Sequence, residues 1–254
     1  MTIYSTILVY TVIKCKQCKQ IRGFMNSNRR EKIRLATREE IIATAWKQIG
    51  ETGAAGLSLR AIAREMDLTA PALYRYFEDR DSLVTALIIE AFISFGDALE
   101  SARDACPADD HAGRFKAISL AYRQWAISYP QRYMLIFGTP IAGYCMPEEA
   151  GPASQRSFLI LTGVIADAYQ AGKIHLSPEY KALTPGLRAR YQLLKQMGLT
   201  YPAVVQQLAL VSWSWIHGLT SLELYGYMPN FLGDQVEGFV QFELDAFMKT
   251  LGLI

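Results

Sequence analysis

The stretch from Leu57 to Leu83, LSLRAIAREMDLTAPALYRYFEDRDSL, constrains the chain more than any other, because two short amphipathic segments meet in it across a tight polar turn. Such a pair predicts a helix-turn-helix. Ser58 offers a hydroxyl to the free N–H groups of the first helix, which buries Leu59, Ile62, Ala63 and Met66 at helical spacing. The turn falls near Asp67. The second helix starts at Thr69, with Pro71 in its first turn, where a missing N–H costs nothing and the fixed φ suits a helix. Leu73 and Phe77 hold it to the core. Its other face carries Thr69, Ala70, Ala72, Arg75 and Tyr76, small residues first and long donors later, which suits a helix end entering a DNA groove.

At 254 residues the chain exceeds what a helix-turn-helix needs, so a small reader and a larger, mostly apolar helical partner are expected. The formal net charge of +2 conceals an asymmetry. Residues 14 to 38 hold nine Lys or Arg and one acid, Glu31, leaving seventeen bases against twenty-three acids from residue 39 onward. A flexible basic arm over residues 1–34 can therefore meet phosphates, whereas the body does not bind nucleic acid by charge alone.

Four cysteines do not make a disulfide framework, and a reducing cytoplasm is the expected compartment. Cys15 and Cys18 have the spacing of half a zinc site, but Cys106, Cys145 and three histidines supply no second pair at finger spacing. We therefore expect no metal and no cofactor. The apolar run over residues 1–13 is shorter than the roughly twenty residues of a membrane span and lacks a basic flank and cleavage site. No membrane role is expected. Met25 precedes a more ordinary polar arm, so residues 1–24 read as an upstream extension or as an over-called start.

Along the rest of the chain, Thr37 and Glu40 form a capping-box pattern that predicts a helix start, and Gly50 and Gly53 its end. A long helix is expected from about Asp79 to Ala105, with Arg80 in its first turn facing the DNA backbone. Further helices are expected over 111–128, 131–137, 154–172, 187–197, 202–225 and 234–251, with a Pro- and Gly-rich loop over 138–152. The 202–225 and 234–251 helices carry more apolar surface than one small domain needs. This predicts a homodimer built on them as a four-helix bundle.

The segment from Thr37 to Leu83 resembles the DNA-binding domain of the TetR family of ligand-responsive repressors, and the stretch from Trp213 to Leu224, WSWIHGLTSLEL, resembles the WHG-type regulatory domain of one branch of it. The resemblance implies an all-α homodimer. It places a three-helix helix-turn-helix domain over 35–82 and a larger effector-binding and dimerisation domain over 83–254. Its partners are then a pseudo-palindromic double-stranded operator and a small, largely apolar effector. Carried over by position, Thr69, Ala70, Pro71 and Ala72 meet base edges, and Ser58, Arg60, Tyr74 and Tyr76 meet backbone or bases; Arg75 and Arg80 complete the set. Arg80 stands where the family has Lys, and Asp67 where it often has Gly.

Six residues are candidate effector contacts: Tyr122, Trp125, Phe137, Phe158, Trp213 and His217. A core or interface role is the alternative for each. His217 and Glu223, six apart, do not share a helix face, and no nucleophile stands at triad spacing, so no enzyme activity is expected. Two other functions stay open, an effector-independent DNA binder and a carrier or enzyme that reuses the fold.

Overall fold

A computed structural model describes residues 29–254 except 177, 179–181, 197 and 199, with Arg29 and Arg30 described by backbone alone. Cys15, Cys18, the apolar run 1–13 and the basic residues before 29 lie outside the described residues. Every regular element described is a helix.

Helix α1 runs Arg29–Thr52. It starts well before the predicted cap at Thr37, since no Gly or Pro interrupts residues 29–37 and Arg34 supports the early turns by pairing with Glu31 one turn back, at 2.6 Å. The part of the expected flexible arm that is described, residues 29–34, is therefore helical. A 3₁₀ turn at Ala54–Gly56 leads into α2, Leu59–Glu65, and α3, Ala70–Tyr74. The long α4 spans Arg80–Asp104 and opens on a reciprocal cap: Ser82 N donates to Asp79 Oδ1 at 2.7 Å and Asp79 N to Ser82 Oγ at 3.2 Å. Then come α5, His111–Ser128, and α6, Pro130–Phe137. Helix α5 stops just before Pro130, which also opens the next helix from its first turn.

A 3₁₀ turn at Glu148–Ala150 runs directly into α7, Gly151–Gln170, and α8 follows at Pro185–Gln196. Helix α9, Ala203–Leu224, stops at Gly226, whose φ of 80° only glycine adopts without strain. The short α10, Tyr227–Leu232, was not foreseen. A 3₁₀ turn at Gly233–Gln235 then feeds α11, Val236–Thr250.

The chain divides into two compact units. Among described residues the first comprises 29–92 and Tyr129–Ser154, the second Ile93–Ser128 and Gln155–Ile254. This departs from the expected boundary at 82/83, because α6 and the following loop pack with the reader. Leu135, Ile136, Phe137, Ile141 and Tyr144 cover a core made by Ile41, Ala45, Ile62, Leu73, Phe77 and Leu83. Polar ties reinforce that cover, Thr85 bonding Tyr144 through their hydroxyls at 2.9 Å and Arg132 lying over the Trp46 ring while reaching Glu90 at 3.0 Å.

Helix α4 is long and apolar enough to cross a membrane, with a mean hydropathy of 1.7. Several of its apolar residues are nevertheless enclosed by protein, Leu83, Val84 and Leu87 in the core of the first unit and Phe95 against Tyr122 and Trp125 in the second, while Ile93 is exposed. The second unit is tied by Arg123 of α5. This nearly buried guanidinium grips Glu223 of α9 through two N–H groups at 2.6 and 2.7 Å and also reaches Glu237 of α11.

Candidate nucleic-acid interface and interior cavity

The helix-turn-helix is held from below by apolar contact and left open above. Ser58 accepts from Ala61 N at 3.4 Å, and its own N–H donates to Gln48 Oε1 at 2.8 Å, so α1 and the start of α2 are joined. The turn bends at Asp67, with φ at 53° the one non-glycine in the left-handed region among the described residues. An Asp side chain tolerates that backbone better than most. Helix α3 has only five residues and cannot persist alone. Leu73, 1% exposed, and Phe77, 3% exposed, anchor it.

Thr69, Pro71, Tyr74 and Arg75 are exposed along one side, while Ala70, Ala72 and Tyr76 are half-buried. The Thr69 hydroxyl makes no capping bond and stays available. Arg60 is exposed on α2. Nine of the ten predicted contacts therefore sit on or beside two short helices, although Ser58 is half-buried and engaged in its cap. Arg80 is the exception. Its guanidinium donates to the carbonyls of Ala54 at 2.9 Å, Leu57 at 3.3 Å and Ala55 at 3.5 Å. This cation fastens the turn before α2, since carbonyls at the end of a 3₁₀ turn keep a lone pair to offer and these three lie within its reach.

The six predicted effector contacts do not stay together. Phe137 is in the first unit, edge-on to Phe92 and tilted against Tyr133, where it closes the core. In the second unit, Tyr122, Phe158 and Trp213 line a narrow space among α4, α5, α7 and α9, together with Leu99, Ile118, Leu161, Ile216 and the hydroxyl residues Ser119, Ser157 and Ser212. A water's centre can range over about 20 Å³ of it.

Trp125 and His217 do not line this space. Trp125 donates from Nε1 to Ser94 Oγ at 3.0 Å, and His217 Nδ1 meets Tyr122 Oη at 2.9 Å. Burial pushes the His217 pKa below its ordinary value, favouring the neutral ring. Glu223 faces Arg123, not His217. The lining serines were missed in the sequence. Their signal was small polar residues on otherwise apolar helix faces. No group of three or more metal-ligating side chains occurs among the described residues.

Comparison with known proteins gives the class. The sequence model described as "Bacterial regulatory proteins, tetR family" matches residues 41–87, and that for "Tetracyclin repressor-like, C-terminal domain" matches residues 115–247. The HTH-type transcriptional regulator Rv1816 of Mycobacterium tuberculosis is 32% identical over 215 residues, covering 82% of this chain and 88% of that protein. The crystal structure of the regulatory protein SCO4313 is 34% identical, with a TM-score of 0.72, over 87% of this chain and all of the other. A protein of unknown function from Rhodococcus sp. RHA1 is 25% identical with a TM-score of 0.65, over 85% and 95%. The chain belongs to the TetR family. It is an all-helical, DNA-binding transcriptional regulator with an N-terminal helix-turn-helix.

Proposed function

We propose that the chain is a repressor that binds a pseudo-palindromic operator as a homodimer and is released by a small, largely apolar effector. The observation that carries this reading is α3: anchored by Leu73 and Phe77, it presents Thr69, Pro71, Tyr74 and Arg75 to solvent beside the exposed Arg60. One five-residue helix contacts too few bases for specificity, so a second copy at a spacing of about 34–36 Å is required.

The dimer contact is assigned to α9 and α11. Leu210 and Leu222 of α9 and Phe242 of α11 are 44, 46 and 69% exposed, and a Cβ at Gly218 would meet nothing within 4 Å beyond its own helix backbone. Effector binding is assigned to the space beside Tyr122, Phe158 and Trp213, and acts by favouring a dimer whose reading heads are wrongly spaced. The effector must bind the two states unequally for anything to move.

Footprinting on the DNA upstream of the chain's own gene tests the reading. Two protected half-sites one helical turn apart, lost in Tyr74→Ala and Arg75→Ala, support it. Sequence-indifferent binding that tracks salt alone sinks it. The narrowness of the cavity favours a second reading, an operator-bound regulator without effector. Under that reading, apolar small molecules leave operator affinity unchanged.

A further inference from the structure

The residues lining the space among α4, α5, α7 and α9 include no acid and no base. Charged residues are close along the chain, Glu100 beside Leu99, Arg123 beside Tyr122 and Arg156 beside Ser157, yet each is engaged elsewhere. Arg156 binds Glu100 at 2.6 Å and Asp97 at 2.7 Å, and Arg123 holds Glu223 and Glu237. A charged ligand would leave water and find no counter-ion here.

What polarity the space offers is in hydroxyls, and two of these already have partners. Ser119 donates to the Phe115 carbonyl at 2.9 Å, and Tyr122 Oη is paired with His217. Ser212 differs. It is 2% exposed and its Oγ has no hydrogen-bond partner, although a helical serine can ordinarily turn its hydroxyl to the carbonyl one turn back. A buried polar atom left in this way is uncommon and costs stability, which marks it as a place where another molecule completes the bonding.

Beside it, Trp213 and Phe158 meet edge-to-face at 6.0 Å between ring centres and are only half-buried. They are the half-buried members of an otherwise buried wall, and their rings offer flat apolar faces to a planar ligand.

We propose that the effector taken here is an uncharged, largely apolar molecule carrying one hydroxyl or carbonyl that hydrogen-bonds Ser212, and that charged molecules of the same shape are rejected. This rests on the reading of the space as the effector site.

Calorimetric titration of the full chain with naphthalene, 2-naphthol and 2-naphthoate at neutral pH tests it. The expected order is 2-naphthol about tenfold tighter than naphthalene, and 2-naphthoate weaker than 2-naphthol by about a hundredfold or more. In Ser212→Ala, 2-naphthol falls to the affinity of naphthalene, while naphthalene is unchanged and so reports an intact cavity. If 2-naphthoate binds as tightly as 2-naphthol, or 2-naphthol no tighter than naphthalene, or the Ser212→Ala change spares their difference, the proposal fails and the effector site stands. Binding of none of the three removes both. The ranking on the unaltered chain decides the matter even where the variant does not fold.

Discussion

The two units treat their apolar residues in opposite ways. In the first, Ile41, Ile62, Leu73, Phe77, Leu83 and Leu87 close on one another, and large apolar side chains left outside, such as Ile33, Tyr129 and Met146, are scattered along the chain. In the second, Leu222, Tyr227 and Phe231 stay exposed around a groove floored by Leu219, Met228, Leu232 and Phe239, and Phe242 is exposed on α11. Scattered exposure is ordinary for a soluble surface; a contiguous apolar patch is a place of assembly. The contrast assigns stability of the reading head to its own core and supports the proposal that pairing falls to the other unit.

Substitutions at four places and one titration strain this contrast, in decreasing order of effect. Phe77→Ala empties the core under α3 and should lower unfolding stability by about 3–5 kcal/mol in urea denaturation, abolishing operator binding. A loss confined to DNA affinity would mean that α3 is not held by that core. The pair Phe231→Glu and Phe242→Glu, made together, should convert the proposed dimer to a monomer in sedimentation while the helical circular dichroism persists. Operator affinity then drops by two orders of magnitude or more, roughly what removing one of two half-site contacts costs. An unchanged mass would place assembly elsewhere.

Arg75→Ala should weaken operator binding by about 1–3 kcal/mol with no change in melting temperature or mass. A fall in melting temperature would make this residue part of the core instead. Arg80→Gln should destabilise by about 1–2 kcal/mol, with Arg80→Lys intermediate, since hydrogen bonds to main-chain carbonyls are lost and not phosphate contacts alone. Equal stability of all three proteins would return Arg80 to the DNA surface.

The smallest effect is in the second unit. Burial lowers the folded pKa of His217, so between that value and the ordinary value near 6.5 the unfolded chain holds the extra proton. Stability is therefore full above about pH 6.5 and declines as pH falls through the folded pKa. His217→Gln should flatten that decline in melting curves taken between pH 7.5 and 5.5, and a slope identical to the parent would count against a buried neutral ring.

Much of this was readable before any coordinates. Ser58, Pro71, Leu73 and Phe77 declare caps and a core face through local chemistry, and local chemistry decides short helices. Periodicity likewise carried α5, α9 and α11, whose stripes run for four turns or more. What the sequence hid was non-local. Thr37 and Glu40 have the form of a cap, yet a cap forms only where the preceding residues are not already helical, and residues 29–36 contain nothing to stop them. Phe137 has the same aromatic character as Phe158; only the return of α6 onto the reader core distinguishes them. Ser212 looks like any helical serine until its hydroxyl is found buried and without a hydrogen bond.

Arg80 leaves a mechanical legacy. Because its guanidinium is fastened to the carbonyls at residues 54, 55 and 57, the first turn of α4 and the loop that launches α2 are riveted into one piece. A shift of that first turn would have to break these bonds or take the loop with it. The chain spends on a stiff joint a cation that its position offered to phosphate.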